Sequence, residues 1–386
     1  MKITKQEALT YHEQTRGKIE VTPKRRIRTK HDLSLAYTPG VAFVSEEIAA
    51  HPEKDRLLTN KGNSVAIVTD GTAVLGLGNI GPRAAIPVME GKAAIFKEMG
   101  GVDAYPIVLD ETDPKKIIAI VKAIAPNFSG INLEDISAPR CFEIERALKK
   151  ELTIPVFHDD QHGAAIVILA GLINALRVVN KKHDEIRVVL NGAGAAGLAT
   201  ANLLLAYGIK HLTVVDRQGV LHPRQKGMHR YQREIALATK PTARGDLSEA
   251  IVGADVFIGL SKGGLLTKAM VKTMAKDAIV FAAANPTPEI MPEDAKAAGA
   301  AIVATGRSDY PNQINNALVF PGLFRGLLDA QSCAVTTDTM LCVAGCLSKL
   351  IKKPTAENII PPLFDKRVAK TVAHTVPQVG VCACLY

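Results

Sequence analysis

Tryptophan is absent from this chain of 386 residues, and aromatic residues make up only 4% of it. Proteins that bind single-stranded nucleic acid stack the bases on aromatic side chains. The scarcity of aromatic residues therefore argues against nucleic-acid binding, although the formal net charge is +9. The densest basic stretch runs from Lys24 to Lys30, and we interpret it as a solvated or subunit-facing segment.

Cysteine pairs, a signal peptide and a long hydrophobic run are also missing. The six cysteines include no Cys-x-x-Cys pair, which is consistent with reduced thiols in a reducing compartment. Residues 1–20 contain no apolar stretch of the kind found in signal peptides. The longest apolar run, residues 163–176, is shorter than the roughly 20 residues that span a bilayer. We therefore predict a cytoplasmic protein without membrane or nucleic-acid partners.

Short apolar runs that alternate with helical patterns predict an α/β protein of two domains. Hydrophobic residues make up 47% of the chain and supply enough core. Strands are predicted at residues 64–69, 104–109, 130–133 and 154–157. A second series of strands follows the polar link at 180–185, so we place the boundary near Gly163. The predicted domains are 1–162 and 163–386, and the helical tail of the second domain is expected to pack back on the first.

Two acidic pairs follow predicted strands of the first domain. Glu134 and Asp135 come directly after the third strand, and Asp159 and Asp160 come after the fourth. Ligands of α/β sheets bind beyond the carboxyl ends of the strands, so the two pairs can converge there. Carboxylates select a hard cation such as Mg²⁺ or Mn²⁺. The alternative is that these acids only cap helices and solvate loops.

Lys92 is the candidate general base. The helix predicted over residues 87–99 places Lys92 on the same face as Val88 and Phe96, where a lysine is costly to bury. Desolvation lowers the pKa of a lysine, which is what general-base chemistry requires. The alternative is that Lys92 extends its amine to solvent.

His158 and His162 have the spacing that zinc enzymes use when both histidines lie on one helix. We expect that helix to begin only near Gly163, after a strand that contains Phe157. The residue after His158 is also Asp rather than Glu. A zinc site is therefore not predicted.

A glycine-rich motif predicts the dinucleotide-binding, or Rossmann, domain. The strand predicted at 186–191 leads into a G-x-G-x-x-G sequence that opens a helix, and an acid follows 24 residues after the first glycine. The candidate cofactor-binding residues are Gly192, Gly194, Ala195, Ala196, Gly197 and Asp216. The glycines let the backbone approach a pyrophosphate. Asp216 favours NAD through the ribose hydroxyl, but the basic residues that follow it, beginning with Arg217, leave NADP open.

Two asparagines are further candidates. Asn285 follows a strand predicted at 278–283, which places it on the nicotinamide side of the cleft. Asn315 lies in the loop 311–316, behind another predicted strand. Ordinary turn chemistry is the alternative for each of them.

Taken together, these motifs resemble those of the malic enzyme family in its short bacterial form. The similarity runs from about Tyr37 to Gly326. The matching pieces are Ala36-Tyr37-Thr38-Pro39-Gly40-Val41-Ala42, Glu90-Gly91-Lys92, Asn132-Leu133-Glu134-Asp135, His158-Asp159-Asp160-Gln161-His162-Gly163 and Asn285-Pro286-Thr287. The resemblance implies oxidative decarboxylation of (S)-malate to pyruvate and CO₂ with reduction of NAD(P). It also implies a homodimer or larger homo-oligomer.

The resemblance further implies residue roles. Tyr37 would be the general acid that protonates the enolate carbon, and Lys92 the base that takes the hydroxyl proton of malate. Asp159 would pair with Lys92 and tune it. The metal ligands would be Glu134, Asp135 and Asp160. Contacts to cofactor and malate would come from Asn285 and Asn315, with Lys92 also contacting malate.

Two other functions remain open at this point. The first is malolactic chemistry, which converts malate to lactate without net reduction of the cofactor. The second is a nicotinamide-cofactor-binding protein that has lost catalysis. The joint presence of Tyr37, Lys92 and the three candidate ligands argues against the second.

Overall fold

Ten strands form two separate sheets in the computed structural model, which describes residues 3–241 and 244–376. The strands of the first sheet are β1 (Ser64–Thr69), β2 (Asp103–Val108), β3 (Gly130–Leu133) and β4 (Val156–His158). They are parallel, in the order β2-β1-β3-β4. Every residue of β1 is buried, because helices cover both faces of a parallel sheet. The four predicted strands agree with these to within two residues.

The second sheet has the topology of a dinucleotide-binding fold. Its strands are β5 (Arg187–Asn191), β6 (His211–Asp216), β7 (Gly219–Val220), β8 (Val256–Gly259), β9 (Ile279–Ala282) and β10 (Ile302–Thr305). Their order is β10-β9-β8-β5-β6-β7, and only the edge strand β7 is antiparallel among these six described strands. From β5 the chain adds strands β6 and β7 on one side and then β8, β9 and β10 on the other side. A crevice opens where the strand order reverses in this way, between β5 and β8. The predicted α/β class is confirmed.

Eight helices accompany the described part of the first sheet and its N-terminal extension. They are α1 (Lys5–Thr15), α2 (Lys30–Ala36), α3 (Gly40–Ala50), α4 (Asp55–Leu58), α5 (Pro82–Gly100), α6 (Pro114–Ile124), α7 (Arg140–Glu151) and α8 (Asp159–Val179). Those of the second half are α9 (Ala195–Tyr207), α10 (Arg230–Thr239), α11 (Leu247–Ala250), α12 (Lys268–Lys272), α13 (Pro292–Ala297), α14 (Phe320–Asp329), α15 (Thr337–Lys349) and α16 (Arg367–Thr375).

Helix α5 begins at Pro82, five residues before the predicted start at Pro87. Both prolines belong to the helix. Pro82 occupies the first turn, where a missing N–H costs nothing. Pro87 lies one turn further in, so it removes only one helical hydrogen bond near the N-terminus. Gly81 precedes the helix with a φ of +79°, in the left-handed region.

Helix α8 begins at Asp159 rather than near Gly163, so the predicted start was wrong. The first N–H groups of a helix need no helical partner, and acids in its first turn interact favourably with the helix dipole. Asp159 and Asp160 therefore lie in the first turn. The helix has 21 residues and a window of mean hydropathy 1.8, long and apolar enough to cross a membrane, but 67% of that window is buried inside the protein. We interpret α8 as a core helix.

The predicted boundary at Gly163 falls inside α8, so the domain limits of 1–162 and 163–386 stay a prediction. Helix α14 packs on α5, and the rings of Phe320 and Phe96 lie 4.7 Å apart. A Cβ on Gly100 would come within 2.6 Å of the Pro321 carbonyl oxygen.

Cys342 of α15 is disulfide-bonded, which corrects the expectation of reduced thiols at this position.

The N-terminal helices form an arm without a core of its own. Helices α1 to α4 contain no buried residue. Large apolar side chains remain in solvent along the arm, including Phe43, which is 70% exposed, and Leu35, which is 61% exposed. The Tyr37 side chain is 66% exposed. An arm of this kind presents apolar surface that the described residues of the same chain do not cover.

Candidate active site

The acidic pairs converge at the carboxyl edge of the first sheet, as predicted. Strands β3 and β4 are neighbours, and Leu133 lies opposite His158, so the residues that follow each strand emerge side by side. Ligand oxygens of Glu134, Asp135 and Asp160 all lie within 4.8 Å of one another. The Asp135 N–H donates to Asp160 Oδ2 at 2.8 Å. Asp135 has a φ of +52°, a left-handed conformation that Asp tolerates better than most residues.

The composition of this cluster fits a divalent cation. Oxygen ligands of this type are those that Mg²⁺ and Mn²⁺ prefer. The cluster holds four carboxylates around one lysine, so it lacks positive charge. Burial, together with the neighbouring Asp160, Asp159 and Asp135, raises the pKa of Glu134 well above its ordinary value, although Lys92 acts in the opposite direction. A cation held by Glu134, Asp135 and Asp160 would neutralise the excess negative charge of the cluster.

Lys92 lies at the centre of the cluster and is only 7% exposed, so it does not extend to solvent. Its Nζ is 2.5 Å from Asp159 Oδ2 and 2.6 Å from Glu134 Oε1. The same Nζ lies 4.3 Å from the centre of the Phe320 ring. Burial lowers the pKa of Lys92, but the charges of Asp159, Glu134 and Asp160 outweigh it, so the pKa lies above its ordinary value. The prediction of a lowered pKa was wrong for this arrangement.

Asp159 is held from both halves of the chain. Its Oδ2 accepts hydrogen bonds from Lys92 Nζ and from Asn316 Nδ2, both at 2.5 Å. A Cβ on Gly163 would lie 2.0 Å from Asp159 Oδ1. The residue one turn along α8 must therefore be glycine if the carboxylate is to keep this position.

The sequence pointed to Asn315, but Asn316 is the asparagine that contacts the cluster. Asn315 Oδ1 accepts the Ala317 N–H at 2.9 Å, which caps the short 3₁₀ helix Asn316–Leu318. The Asn316 amide reaches Asp159 instead. Neither spacing nor composition distinguishes two adjacent asparagines, since the choice depends on the direction of the loop.

Two further residues that the sequence interpretation did not single out support the site. Asn132 is fully buried in β3, and its Nδ2 donates to Glu134 Oε2 at 3.0 Å. Glu289 is fully buried as well, and its carboxylate accepts the N–H groups of Ser261 at 3.2 Å and Ala284 at 3.1 Å. Glu289 thereby joins the segments that follow β8 and β9. Asn132 belongs to the motif Asn132-Leu133-Glu134-Asp135, and a polar residue inside a predicted buried strand is the signal for its role.

The glycine-rich motif lies at the crevice between β5 and β8. Gly192 has a φ of +126°, and a Cβ there would come within 2.6 Å of the Leu260 carbonyl oxygen. A Cβ on Gly197 would lie 1.7 Å from the Gly192 carbonyl oxygen. Nothing lies within 4 Å of a Cβ built on Gly194, so this position is open on the side where a pyrophosphate would approach. Ala195 and Ala196 form the first turn of α9.

Asp216 ends β6, as a residue that contacts an adenosine ribose does. Its Oδ1 accepts the Gln218 N–H at 2.8 Å, which fixes the direction of the carboxylate.

Asn285 follows β9 and joins the two halves of the chain. A Cβ on Gly76 would meet the Asn285 carbonyl oxygen at 2.4 Å, and one on Gly306 would meet its Nδ2 at 2.6 Å.

Tyr37 is the one predicted catalytic residue that the single chain does not bring to the cluster. It follows α2 in the N-terminal arm, and its side chain makes no hydrogen bond or ring contact within residues 3–241 and 244–376. The side chains of the two histidines have different surroundings. His158 is buried between strand and helix, whereas His162 Nε2 donates to Glu145 at 2.9 Å.

Fold and site together define a dinucleotide-binding α/β protein with a carboxylate cluster beside its cofactor crevice. The family description of the malic enzyme N-terminal domain matches residues 16–117 and 111–149, and that of the malic enzyme NAD binding domain matches residues 161–381. The chain belongs to the malic enzyme family.

Named relatives agree with this assignment. The bifunctional malic/malolactic enzyme of Bacillus subtilis is 52% identical over 381 residues, which cover 98% of this chain and 93% of that protein. The NAD-dependent malic enzyme of Geobacillus stearothermophilus is 54% identical over 94% of this chain and 76% of its own length. The crystal structure of the NAD-dependent malic enzyme from Thermotoga maritima superposes with a TM-score of 0.93 at 47% identity, over 96% of this chain and 98% of that one.

Proposed function

We propose that this protein catalyses the oxidative decarboxylation of malate to pyruvate and CO₂ with a nicotinamide cofactor and Mg²⁺ or Mn²⁺. The observation that carries the proposal is the position of Lys92, which lies within hydrogen-bond reach of Asp159 and Glu134. The Ala73 N–H donates to the Asp135 carbonyl oxygen at 3.0 Å, and Gly76, three residues further along, packs against Asn285 of the second half. Relatives named as malic enzymes support the same function.

Each half of the chain has a distinct task in this proposal. Glu134, Asp135 and Asp160 would hold the cation. When bound, the cation would supply Lewis-acid polarisation of the malate oxygens, and the nicotinamide would supply the acceptor for the hydride of C2. A cation at the three acids would oppose the effect of their charges on Lys92 and lower the pKa of its amine. Lys92 would then take the hydroxyl proton of malate, and Asp159 would orient its amine. The low exposure of Lys92 and Asp159 keeps bulk water away from this proton transfer.

Loss of CO₂ breaks the bond between C3 and C4 of the oxidised substrate and leaves an enolate. Tyr37 from a second copy of the chain would protonate C3 of that enolate. Tyr37 belongs to an arm whose helices contain no buried residue and whose apolar side chains are exposed. A second copy would cover that surface and bring Tyr37 to the partner's carboxylate cluster. The proposed assembly is therefore a homodimer or a multiple of it, in which each site takes residues from two chains.

NAD is the proposed cofactor. The Asp216 carboxylate can accept from a ribose 2′-hydroxyl but repels a 2′-phosphate. NADP is the second candidate because Arg217 adjoins Asp216, and Arg217, Arg224 and Arg244 line a common pocket beside it. Asn285 and Asn315 are proposed to contact the nicotinamide and malate. A cytoplasmic location stays a prediction of the sequence.

Incubation of the protein with malate, Mn²⁺ and either NAD or NADP tests the function. We expect absorbance of the reduced cofactor to rise together with pyruvate, faster with NAD. Lactate formed without reduced cofactor would favour malolactic chemistry, which the name of the Bacillus subtilis relative includes. Cofactor binding without turnover of malate would favour a non-catalytic protein.

A further inference from the structure

Helix α8 carries Asp159 and Asp160 in its first turn, yet it has no N-cap of the usual kind. The residue at that position is His158, whose side chain makes no capping hydrogen bond. The N–H groups at the start of a helix are normally satisfied by such a side chain. Here the acceptor comes from a different helix, since His158 N–H donates to Glu145 Oε1 at 3.2 Å.

Glu145 belongs to α7 and is 4% exposed, and it contacts α8 at three successive points around the acidic pair. Besides the backbone of His158, its carboxylate accepts Gln161 Nε2 at 3.2 Å and His162 Nε2 at 2.9 Å. Lys149 lies 2.8 Å away and supplies a positive charge. The residues that precede and follow Asp159 and Asp160 in the sequence therefore donate hydrogen bonds to the same carboxylate, that of Glu145.

We propose that Glu145 is a positioning residue for the metal site: it fixes the first turn of α8 and thereby directs Asp160 towards Glu134 and Asp135. A carboxylate suits this place because it accepts several donors at once and its charge is favourable at a helix N-terminus. This role rests on the proposed function, since it presupposes that the three acids hold a cation.

Glu145 acts through α8 rather than on substrate. Together with Gln161 and His162 it lines a cavity of about 500 Å³ between the two halves of the chain. None of Lys92, Glu134 or Asp160 lines that cavity. Residues that orient metal ligands from behind commonly change metal affinity by roughly 10- to 100-fold when they are replaced.

The test is the affinity for Mn²⁺ measured by electron paramagnetic resonance on protein without malate, with NADH affinity measured by fluorescence on the same samples. Glu145→Gln keeps the size of the side chain but removes its charge and turns an NH₂ group towards the donors of α8. We expect Mn²⁺ binding to weaken by roughly 10- to 100-fold while NADH binding is unchanged. Glu143→Gln, an exposed position on the same helix, is the matched control and should bind both as the parent does.

Gln161→Met is the second variant, because it removes one hydrogen bond and leaves the Glu145 charge in place. We expect a smaller loss of Mn²⁺ affinity, again with NADH binding retained. The inference is overturned if Glu145→Gln binds Mn²⁺ like Glu143→Gln. It is also overturned if Glu145→Gln loses both ligands while Gln161→Met binds Mn²⁺ like the parent. Failure of the unsubstituted protein to bind Mn²⁺ would instead reject the proposed function.

Discussion

Lys92 and Lys97 lie five residues apart on α5, but their surroundings differ in kind. Lys92 is buried between two carboxylates, whereas Lys97 pairs with Asp103 at the surface. An exposed ion pair contributes roughly 0–1 kcal/mol to stability. Removing one partner of a buried ion pair costs about 3–5 kcal/mol, because the remaining charge stays without compensation.

Replacement of Lys92 therefore affects both chemistry and stability. We expect Lys92→Met to lower kcat by roughly 10²- to 10⁴-fold, the usual contribution of a positioned proton-transfer group. We also expect a lower free energy of unfolding in urea, since Glu134 and Asp159 lose their counter-ion. Lys97→Met is the control, with kcat and stability close to the parent. Normal turnover by Lys92→Met would show that another residue moves the proton.

Asn315 has two possible roles that one substitution separates. Its Oδ1 caps the Ala317 N–H, and the proposed function gives its amide group a contact with malate. Asn315→Asp keeps the capping oxygen but replaces the amide donor with a negative charge, which repels a dicarboxylate. We expect KM for malate to rise by at least about tenfold, the effect of losing one hydrogen bond to a charged group, with an unchanged melting temperature. An unchanged KM would leave Asn315 as a cap only.

At the scale of single residues, the sequence predicts best the positions of polar residues that directly follow a predicted strand. The convergence of Glu134, Asp135 and Asp160 was predictable because residues directly after neighbouring parallel strands emerge at the same edge of a sheet. The raised pKa of Lys92 was not, because it depends on three carboxylates from two distant segments. Asn316 and Glu145 were missed for the same reason, since their partners lie 157 and 17 residues away along the chain.

Helix α8 is the element on which the site depends most. The sequence predicted that the acids of its first turn lie before the helix, because charged residues and two histidines precede the apolar run. Helix starts are hard to predict where the capping acceptor comes from another element, as Glu145 does here. The start of α5 was misplaced because Pro87 resembles a first-turn proline, although Pro82 is the residue that occupies that place.

Two glycines of α8 offer a matched comparison. A Cβ on Gly163 would lie 2.0 Å from Asp159 Oδ1, whereas one on Gly171 would have its nearest neighbour, the Phe281 ring, at 3.4 Å. We expect Gly163→Ala to displace the Asp159 carboxylate from Lys92 and to reduce kcat by at least about tenfold, the equivalent of one charged hydrogen bond. Gly171→Ala should retain activity. Equal kcat values in the two variants would show that Asp159 can shift without loss.

On the scale of the whole molecule, the two-sheet α/β arrangement followed from the alternation of apolar runs. The antiparallel edge strand β7 has only two residues and gives no pattern to detect. The N-terminal arm was interpreted from its basic run alone. The sequence could not show that its apolar residues are exposed, because that depends on the fold, in which no described part of the chain covers them.

A mixing experiment tests whether Tyr37 serves a second chain. Tyr37→Phe and Lys92→Ala should each be inactive in the proposed mechanism. If Tyr37 acts on the partner's site, equal mixing with exchange of subunits creates heterodimers with one intact site, and about a quarter of the parental activity returns. If Tyr37 acts in its own chain, every mixed site lacks one residue and no activity returns. Gel filtration of each variant confirms that the assembly is preserved.

The uninterrupted course of α8, from the acidic pair to Asn180, limits how this protein can vary. Each residue of a helix turns the chain by about 100°. Insertion or deletion of a single residue between Gly163 and Val179 would swing Asp159 and Asp160 away from their partners while the opposite end of the helix stays fixed. The buried apolar side chains of this helix can be exchanged for others of similar volume, but its length in residues cannot be altered.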